Sequence, residues 1–288
     1  MSMSVIIIGA GIAGLAAGCY LQMNGFESRI FEMHNKPGGL CTAWKRKDYT
    51  FDLCISWLTG SSPQSPVYSL WEELGVVQDR EFITIEYGKH VIDEQGNKFI
   101  VYADPDKLRD HMLSFSIEDE KLIKRFTSDL KKLGTIRLQI EMGIIDLIKM
   151  IPLIRMFRKY SITATEMASK FKNPVLRNLF QIAFNWYDQS MIVLMLGIAQ
   201  RGSKLSGYPI GGSLPVARAI ERRYMDLGGD IFYNTEVRKI IVENNKAVGV
   251  QFIDGSEYKG DIIVSGADGH STIFQWLDGQ YIDDKIQG

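Results

Sequence analysis

The chain begins with a wholly apolar, β-branched run, Ser4-Val5-Ile6-Ile7-Ile8, of the kind that fits a strand buried on both faces of a parallel sheet. Gly9-Ala10-Gly11-Ile12-Ala13-Gly14 follows at once, and Leu15-Ala16-Ala17-Gly18-Cys19-Tyr20-Leu21 continues as a helix that Gly25 stops. Ser28-Arg29-Ile30-Phe31 predicts a second strand ending on Glu32. From about residue 66 this rhythm is lost. A short helix closes on Trp71-Glu72-Glu73-Leu74-Gly75, and residues 82–87 and 98–102 alternate as two strands around a turn at 93–97. Ser116, with Glu118, Asp119 and Glu120 behind it, predicts a helix start: a capping hydroxyl, then acids in the first turn. The pattern stays helical to Gln200. Ser213 is expected to cap a further helix, with Pro215 in its first turn and Leu227-Gly228-Gly229 at its end. Residues 230–234 then read as a strand, 237–243 and 247–253 as a hairpin around Asn244-Asn245 with an Asp254-Gly255 turn beyond, and 262–265 as a return to the parallel sheet.

The opening segment carries the chemistry. A bare GxGxxG is a weak signal, but here it lies between a strand and a helix, with an acid 23 residues after its first glycine. Gly9 permits the tight turn, Gly11 lets main chain approach a pyrophosphate, and Gly14 lets the helix pack closely on the strand. The helix start, with Ile12 and Ala13, offers unpaired N–H groups to phosphate. Glu32 is placed to accept hydrogen bonds from ribose hydroxyls, and its charge repels a 2′-phosphate, which disfavours NADP. The alternative is a Gly/Ala-rich packed helix without ligand.

Composition narrows the rest. With 288 residues, 45% of them hydrophobic, the chain can bury a core in one composite domain or two. A formal net charge of −1 gives no argument for nucleic acid. Three cysteines, Cys19, Cys41 and Cys54, have neither metal-ligand spacing nor the even number of a disulfide framework. No metal is expected. The apolar N-terminus lacks the basic region of a signal peptide and is consumed by the glycine turn, so a cytoplasmic protein is expected. Cys54 reads as a buried small hydrophobe rather than a nucleophile, since no histidine lies nearby in sequence.

Beyond Glu32 comes Met33-His34-Asn35-Lys36-Pro37-Gly38-Gly39-Leu40, with a glycine pair six residues after the acid. In this the sequence resembles the two-dinucleotide-binding-domain flavoproteins, and more narrowly the phytoene desaturase/retinol saturase branch, with amine oxidases as cousins. The resemblance implies FAD as cofactor, with the Gly38-Gly39 loop running against its diphosphate and ribityl chain. It also implies backbone contact with adenine at Val237 and cofactor contacts at Met33, Leu40 and Ala267. Many relatives have arginine where this chain has Leu40; Lys45 or Arg46 could supply that charge, or could form a solvated basic turn. Ser56 stands nearest the place of a histidine common in relatives, so no acid–base role carries over to it. No catalytic residue is assigned; Tyr187, Tyr208 and Lys45 are weak proton-donor candidates. The segment 207–215, Tyr-Pro-x-Gly-Gly before a helix, resembles the family's re-entry into the nucleotide domain.

The fold class expected is therefore α/β: a Rossmann-like FAD-binding domain, a parallel sheet plus β-meander, with an inserted, mainly helical α+β substrate or cap domain. The nucleotide domain takes residues 1–65 and 206–288, and the substrate domain 66–205. The function implied is hydride transfer between flavin and an apolar, polyene- or isoprenoid-like small molecule. Flavin amine oxidation, to which Trp186-Tyr187 lends little, and a non-catalytic nucleotide-binding chain are the alternatives. Relatives continue past Asp268 to a last glycine-rich turn that nothing here supplies, so weakened or absent flavin binding and little turnover are expected.

Residues 142–154 are apolar around nearly the whole helical wheel. Asp146, Lys149, Pro152, Arg155 and Arg158 interrupt the stretch, which excludes a membrane span. Between Lys149 and Arg177 stand seven basic residues and one acid, Glu166. Such a segment can lie on an anionic membrane surface, making the protein peripheral, or can form a helical cap packed on itself. Met142, Met150, Met156, Met167, Met191 and Met195 suit a core or a greasy substrate channel, and the core is the simpler reading.

Overall fold

The computed structural model describes residues 2–135, 151–184 and 189–282. In chain order the elements are β1 (Ser4–Ile8), α1 (Ile12–Met23), β2 (Glu27–Phe31), β3 (Ala43–Arg46), β4 (Tyr49–Asp52), β5 (Leu58–Thr59), α2 (Tyr68–Glu73), β6 (Phe82–Ile83), β7 (Tyr87–Ile92) and β8 (Lys98–Tyr102). Six described helices follow: α3 (Pro105–Phe115), α4 (Glu120–Thr135), α5 (Ile151–Tyr160), α6 (Ala164–Ala168), α7 (Pro174–Phe184) and α8 (Met191–Gly202). The chain ends with β9 (Ser206–Pro209), α9 (Ser213–Asp226), β10 (Asp230–Phe232), β11 (Val237–Glu243), β12 (Lys246–Phe252), β13 (Glu257–Lys259), β14 (Ile262–Ser265) and a π-helical turn at Ser271–Trp276.

Two compact units emerge. The first comprises Met1–Ser56, Leu70–Glu81 and Pro209–Gly288, the second Trp57–Ser69 and Phe82–Tyr208. In the first, a parallel sheet runs β10-β2-β1-β14, so the strand nearest the C-terminus pairs with the strand that opens the chain. Val5 faces Ile262 on one side of β1 and Ser28 on the other. Val5, Ile6, Ile7 and Ile8 are all buried, as a central strand covered on both faces requires. α1 packs on α9 through small residues: a Cβ at Gly18 would stand 2.7 Å from the Tyr224 ring. β11, β12 and β13 form the meander, and Asn244 and Asn245 both take positive φ (52° and 61°). That is the pair of left-handed residues a two-residue hairpin turn requires. Phe31 stacks on Phe232 and meets Phe252 and Tyr258.

The second unit buries one large cluster, in which Phe99, Leu108, Met112, Phe126, Phe171, Leu179 and Phe180 are fully enclosed. Met156, Met167, Met191 and Met195 lie in that core. Met142, Met150, Trp186 and Tyr187 lie outside the described residues, as does most of the apolar stretch 142–154. No described helix is long and apolar enough to cross a membrane.

Four local expectations are corrected. The strand that pairs with β8 is Tyr87–Ile92, not 82–87; Phe82–Ile83 joins the separate β5-β9-β6 sheet. Alternation alone could not tell adjacent extended segments apart. Ser116 does not start a helix. It ends α3 and its hydroxyl donates to Asp119 (2.8 Å), whose carboxylate also accepts the N–H groups of Lys172 and Asn173; α4 begins at Glu120. Ser213 is the first residue inside α9, and Gly212 (φ +84°) stands at the cap position without a side chain. Cys54 is exposed, with φ +87°, rather than buried.

Candidate dinucleotide-binding site

The first unit brings the predicted glycines together at the carboxyl ends of β1 and β2. Gly9 takes φ +95° and its N–H donates to Phe31 O at 2.8 Å, which holds the turn beside β2. A Cβ at Gly14 would lie 2.0 Å from Gly9 O, so only glycine allows the helix to start so close to its own turn. Gly11 differs. Its φ is −67°, open to any residue, and a Cβ there would meet nothing within 4 Å. Its role is to leave space, not to relieve strain. No side chain caps α1 and no acid stands in its first turn, so the helix end presents backbone donors alone. Ile12 is partly buried and Ala13 exposed at that end.

Glu32 stands at the end of β2, 5% exposed. Oε2 accepts the Ala10 N–H at 2.6 Å and Oε1 the His34 N–H at 2.9 Å. The carboxylate thus braces the glycine turn itself, and an ionised carboxylate accepts further hydrogen bonds on its remaining lone pairs. Burial, a hydrogen bond to Glu221, and the charges of Glu221 and Glu32 hold the neighbouring Tyr233 phenol well above its usual range.

The second glycine loop lies against the first. Gly38 N–H donates to Ala10 O (2.8 Å), Gly38 and Gly39 take φ of +114° and +56°, and a Cβ at Gly39 would stand 3.4 Å from Gly11 Cα. Lys36 Nζ donates to Ala43 O at 2.9 Å and ties this loop to β3. Met33 and Leu40 project outward, 53% and 76% exposed. On the other side Gly266 N–H donates to Ile8 O (2.8 Å), and a Cβ at Gly266 would lie 3.1 Å from Gly14 Cα; Ala267 follows, exposed. Val237 is buried at the start of the meander, opposite Phe252. Lys45 and Arg46 are exposed on the β3–β4 hairpin, and Ser56 is exposed at the end of this stretch.

Sequence reasoning gave Asp52 no capping role, reading the segment that ends Phe51-Asp52 only as one that in the resembling family leads back towards the flavin ring. The Asp52 carboxylate accepts the Ser213 N–H (2.7 Å) and hydroxyl (3.1 Å), while Ser213 Oγ accepts the Ile55 N–H (3.0 Å). Asp52 therefore caps α9 from 161 residues away, and a Cβ at Gly212 would stand 2.6 Å from its oxygen. A capping residue is normally sought next to its helix, so nothing local marked this one. Among the described residues no group of three or more His, Cys, Asp or Glu could hold a metal.

A family model described as flavin containing amine oxidoreductase matches residues 12–271. A phytoene desaturase (neurosporene-forming) of Rhodobacter capsulatus is 27% identical over 296 residues, covering 93% of this chain and 53% of the relative. A 1-hydroxycarotenoid 3,4-desaturase of a Flavobacterium is 27% identical over 290 residues, covering 94% and 58%. Among solved structures, a redesigned putrescine oxidase superimposes with a TM-score of 0.57 at 16% identity, over 92% of this chain and 58% of that one; this is a likeness of fold. The chain spans about half the length of the curated relatives it matches.

Proposed function

The chain belongs to the flavin containing amine oxidoreductase family, and from that premise we propose that its first unit holds the adenine dinucleotide part of FAD for hydride exchange with an apolar, polyene- or isoprenoid-like substrate. The observation that carries the reading is the open space above Gly11, bounded by the bare start of α1, the Gly38-Gly39 loop and the Glu32 carboxylate. Open space beside a helix start that no side chain caps, and beside a buried acid, fits a diphosphate and its ribose.

In this reading Gly9, Gly11, Ile12, Ala13 and Gly14 receive the diphosphate, and Glu32 takes the ribose hydroxyls while bracing Ala10. Gly38, Gly39 and Leu40 line the diphosphate and ribityl side, Met33 and Val237 bound the adenosine, and Ala267 closes the site near β14. FAD, when bound, supplies the hydride acceptor or donor. The chain's part is to orient the cofactor by main chain and to offer apolar surface that excludes water. The Rhodobacter and Flavobacterium relatives are named for carotenoid desaturation, which favours carbon–carbon desaturation over amine oxidation. Ile154 and Phe157, exposed beside Arg155 and Arg158 on α5, support contact with an anionic membrane surface from which an apolar substrate would enter.

Titration with FAD, read by flavin fluorescence, is expected to show weak but saturable binding that ADP displaces. No ADP-displaceable binding up to about 1 mM, an affinity of only about −4 kcal/mol, would refute the site. Anaerobic bleaching of the bound flavin by amines rather than polyenes would overturn the substrate class alone.

A further inference from the structure

We propose that Cys41 and Cys54 form a thiol-oxidation site, closing to a reversible disulfide that staples the exit of the Gly38-Gly39 loop to the segment docked on Ser213. The β3–β4 ladder pairs Ala43 with Asp52. Leu53 N–H donates to Thr42 O at 3.0 Å, which carries the ladder one position further. Cys41 and Cys54 flank that bonded pair, one beyond the end of each strand. Thr42 N–H turns back to Leu40 O at 3.0 Å, so regular pairing ends there and both cysteines stand where the two strands leave the ladder, whose facing Cα atoms are about 4.5–5.5 Å apart. Disulfides span about 4.4–6.8 Å between Cα atoms. The Cys54 side chain and the Asp52 charge both act on the Cys41 thiol.

The two thiols are not equivalent. Cys54 is exposed where the chain leaves the strand, and its positive φ turns it out of the ladder. Cys41 is partly buried; burial first, then Cys54 and Asp52, push its thiol up to about 12. Cys54 is thus the thiol an oxidant reaches and Cys41 the one that resolves it. With hydrogen peroxide as oxidant, the Cys54 sulfur attacks one peroxide oxygen and the O–O bond breaks, giving Cys54–SOH, while the departing hydroxide takes the thiol proton and leaves as water. The Cys41 sulfur then displaces hydroxide from that sulfenic acid, and the Cys41 proton leaves with it as a second water. Both sulfurs are oxidised by one electron each and the peroxide is reduced by two.

The bond would hold several contacts in place together. Cys41 N–H donates to Gly38 O (2.9 Å), and Ile55 N–H donates to Ser213 Oγ. Joining residues 41 and 54 closes the hairpin at its base, tying the second glycine loop to the start of α9.

The test is hydrogen peroxide treatment of the folded chain, followed by thiol counting, peptide mass mapping and a thermal melt. Of the three thiols, two are expected to disappear, with a peptide linking Cys41 to Cys54 that dithiothreitol releases. A rise of about 5 °C in melting temperature is expected for a loop of this length, absent from Cys41→Ser and Cys54→Ser and kept in Cys19→Ser. Coupling should be faster in the folded chain than in urea. Three persisting thiols, Cys54 accumulating as sulfinic acid beside a free Cys41, or cross-links to Cys19 or a second chain would overturn the proposal.

Discussion

Replacing Gly11 by alanine separates binding from folding more cleanly than any other change in the glycine turn. Gly11 has φ −67° and an added Cβ meets nothing within 4 Å. Folding should therefore change little, by about 0.5 kcal/mol or less, since the lost freedom of the unfolded chain offsets a slightly poorer cap residue. Bound diphosphate would lose close approach to one or two main-chain donors. Hydrogen bonds to a charged group contribute about 1.5–3 kcal/mol each, so a loss of roughly 2–4 kcal/mol follows, about 30- to 1,000-fold in Kd. The comparison is Gly14→Ala, whose Cβ would stand 2.0 Å from Gly9 O. That contact is with main chain and cannot relax by a rotamer change, so this variant should lose stability outright. The assay is a urea melt of each protein beside an FAD titration. An alanine at Gly11 that binds FAD as tightly as the unaltered chain would refute the assignment of that space to the diphosphate. A Gly11→Ala protein that fails to fold would refute the claim that the space is open.

Three further outcomes are expected. Asp52→Ala removes the cap of α9 and leaves the Ser213 N–H without its carboxylate; a loss of about 1–2 kcal/mol in a denaturant titration is expected, and Gly212→Ala should cost at least as much because its Cβ meets the same carboxylate. His111 is held below its ordinary range by burial, with Nε2 accepting the Ile100 N–H. Its folded value lies below its unfolded value of about 6.5, so stability should fall as pH drops below that value, and His111→Gln should flatten the slope between pH values of about 7 and 5. For Asp119, burial favours the neutral acid, but hydrogen bonds from Lys172, Asn173 and Ser116 outweigh it and lower its folded value. Its stabilisation is therefore full above the unfolded value of about 3.9 and is lost as pH falls through the folded one; Asp119→Ala should remove that acid transition and cost about 2–4 kcal/mol at neutral pH.

Much of this architecture was legible in the chain because it is written in local terms. The β-branched run at 4–8, the glycines at 9, 11 and 14 and the acid at 32 each act through backbone conformation, close approach or charge, which the residue type itself dictates. The same holds for Asn244-Asn245, whose tolerance of positive φ decides the turn. Tertiary structure decided what depends on partners far apart in sequence. Asp52 caps a helix that starts at Ser213, Ser116 turns to Asp119 instead of starting a helix, and Tyr87–Ile92 pairs with Lys98–Tyr102 where alternation had pointed to the segment before it. Glu32 shows both sides: its position was readable from spacing, yet that its carboxylate grips the Ala10 N–H emerged only once β1 and β2 lay side by side. A capping or bracing hydrogen bond needs an oxygen about 3 Å from a donor, and only the folded chain brings such atoms together.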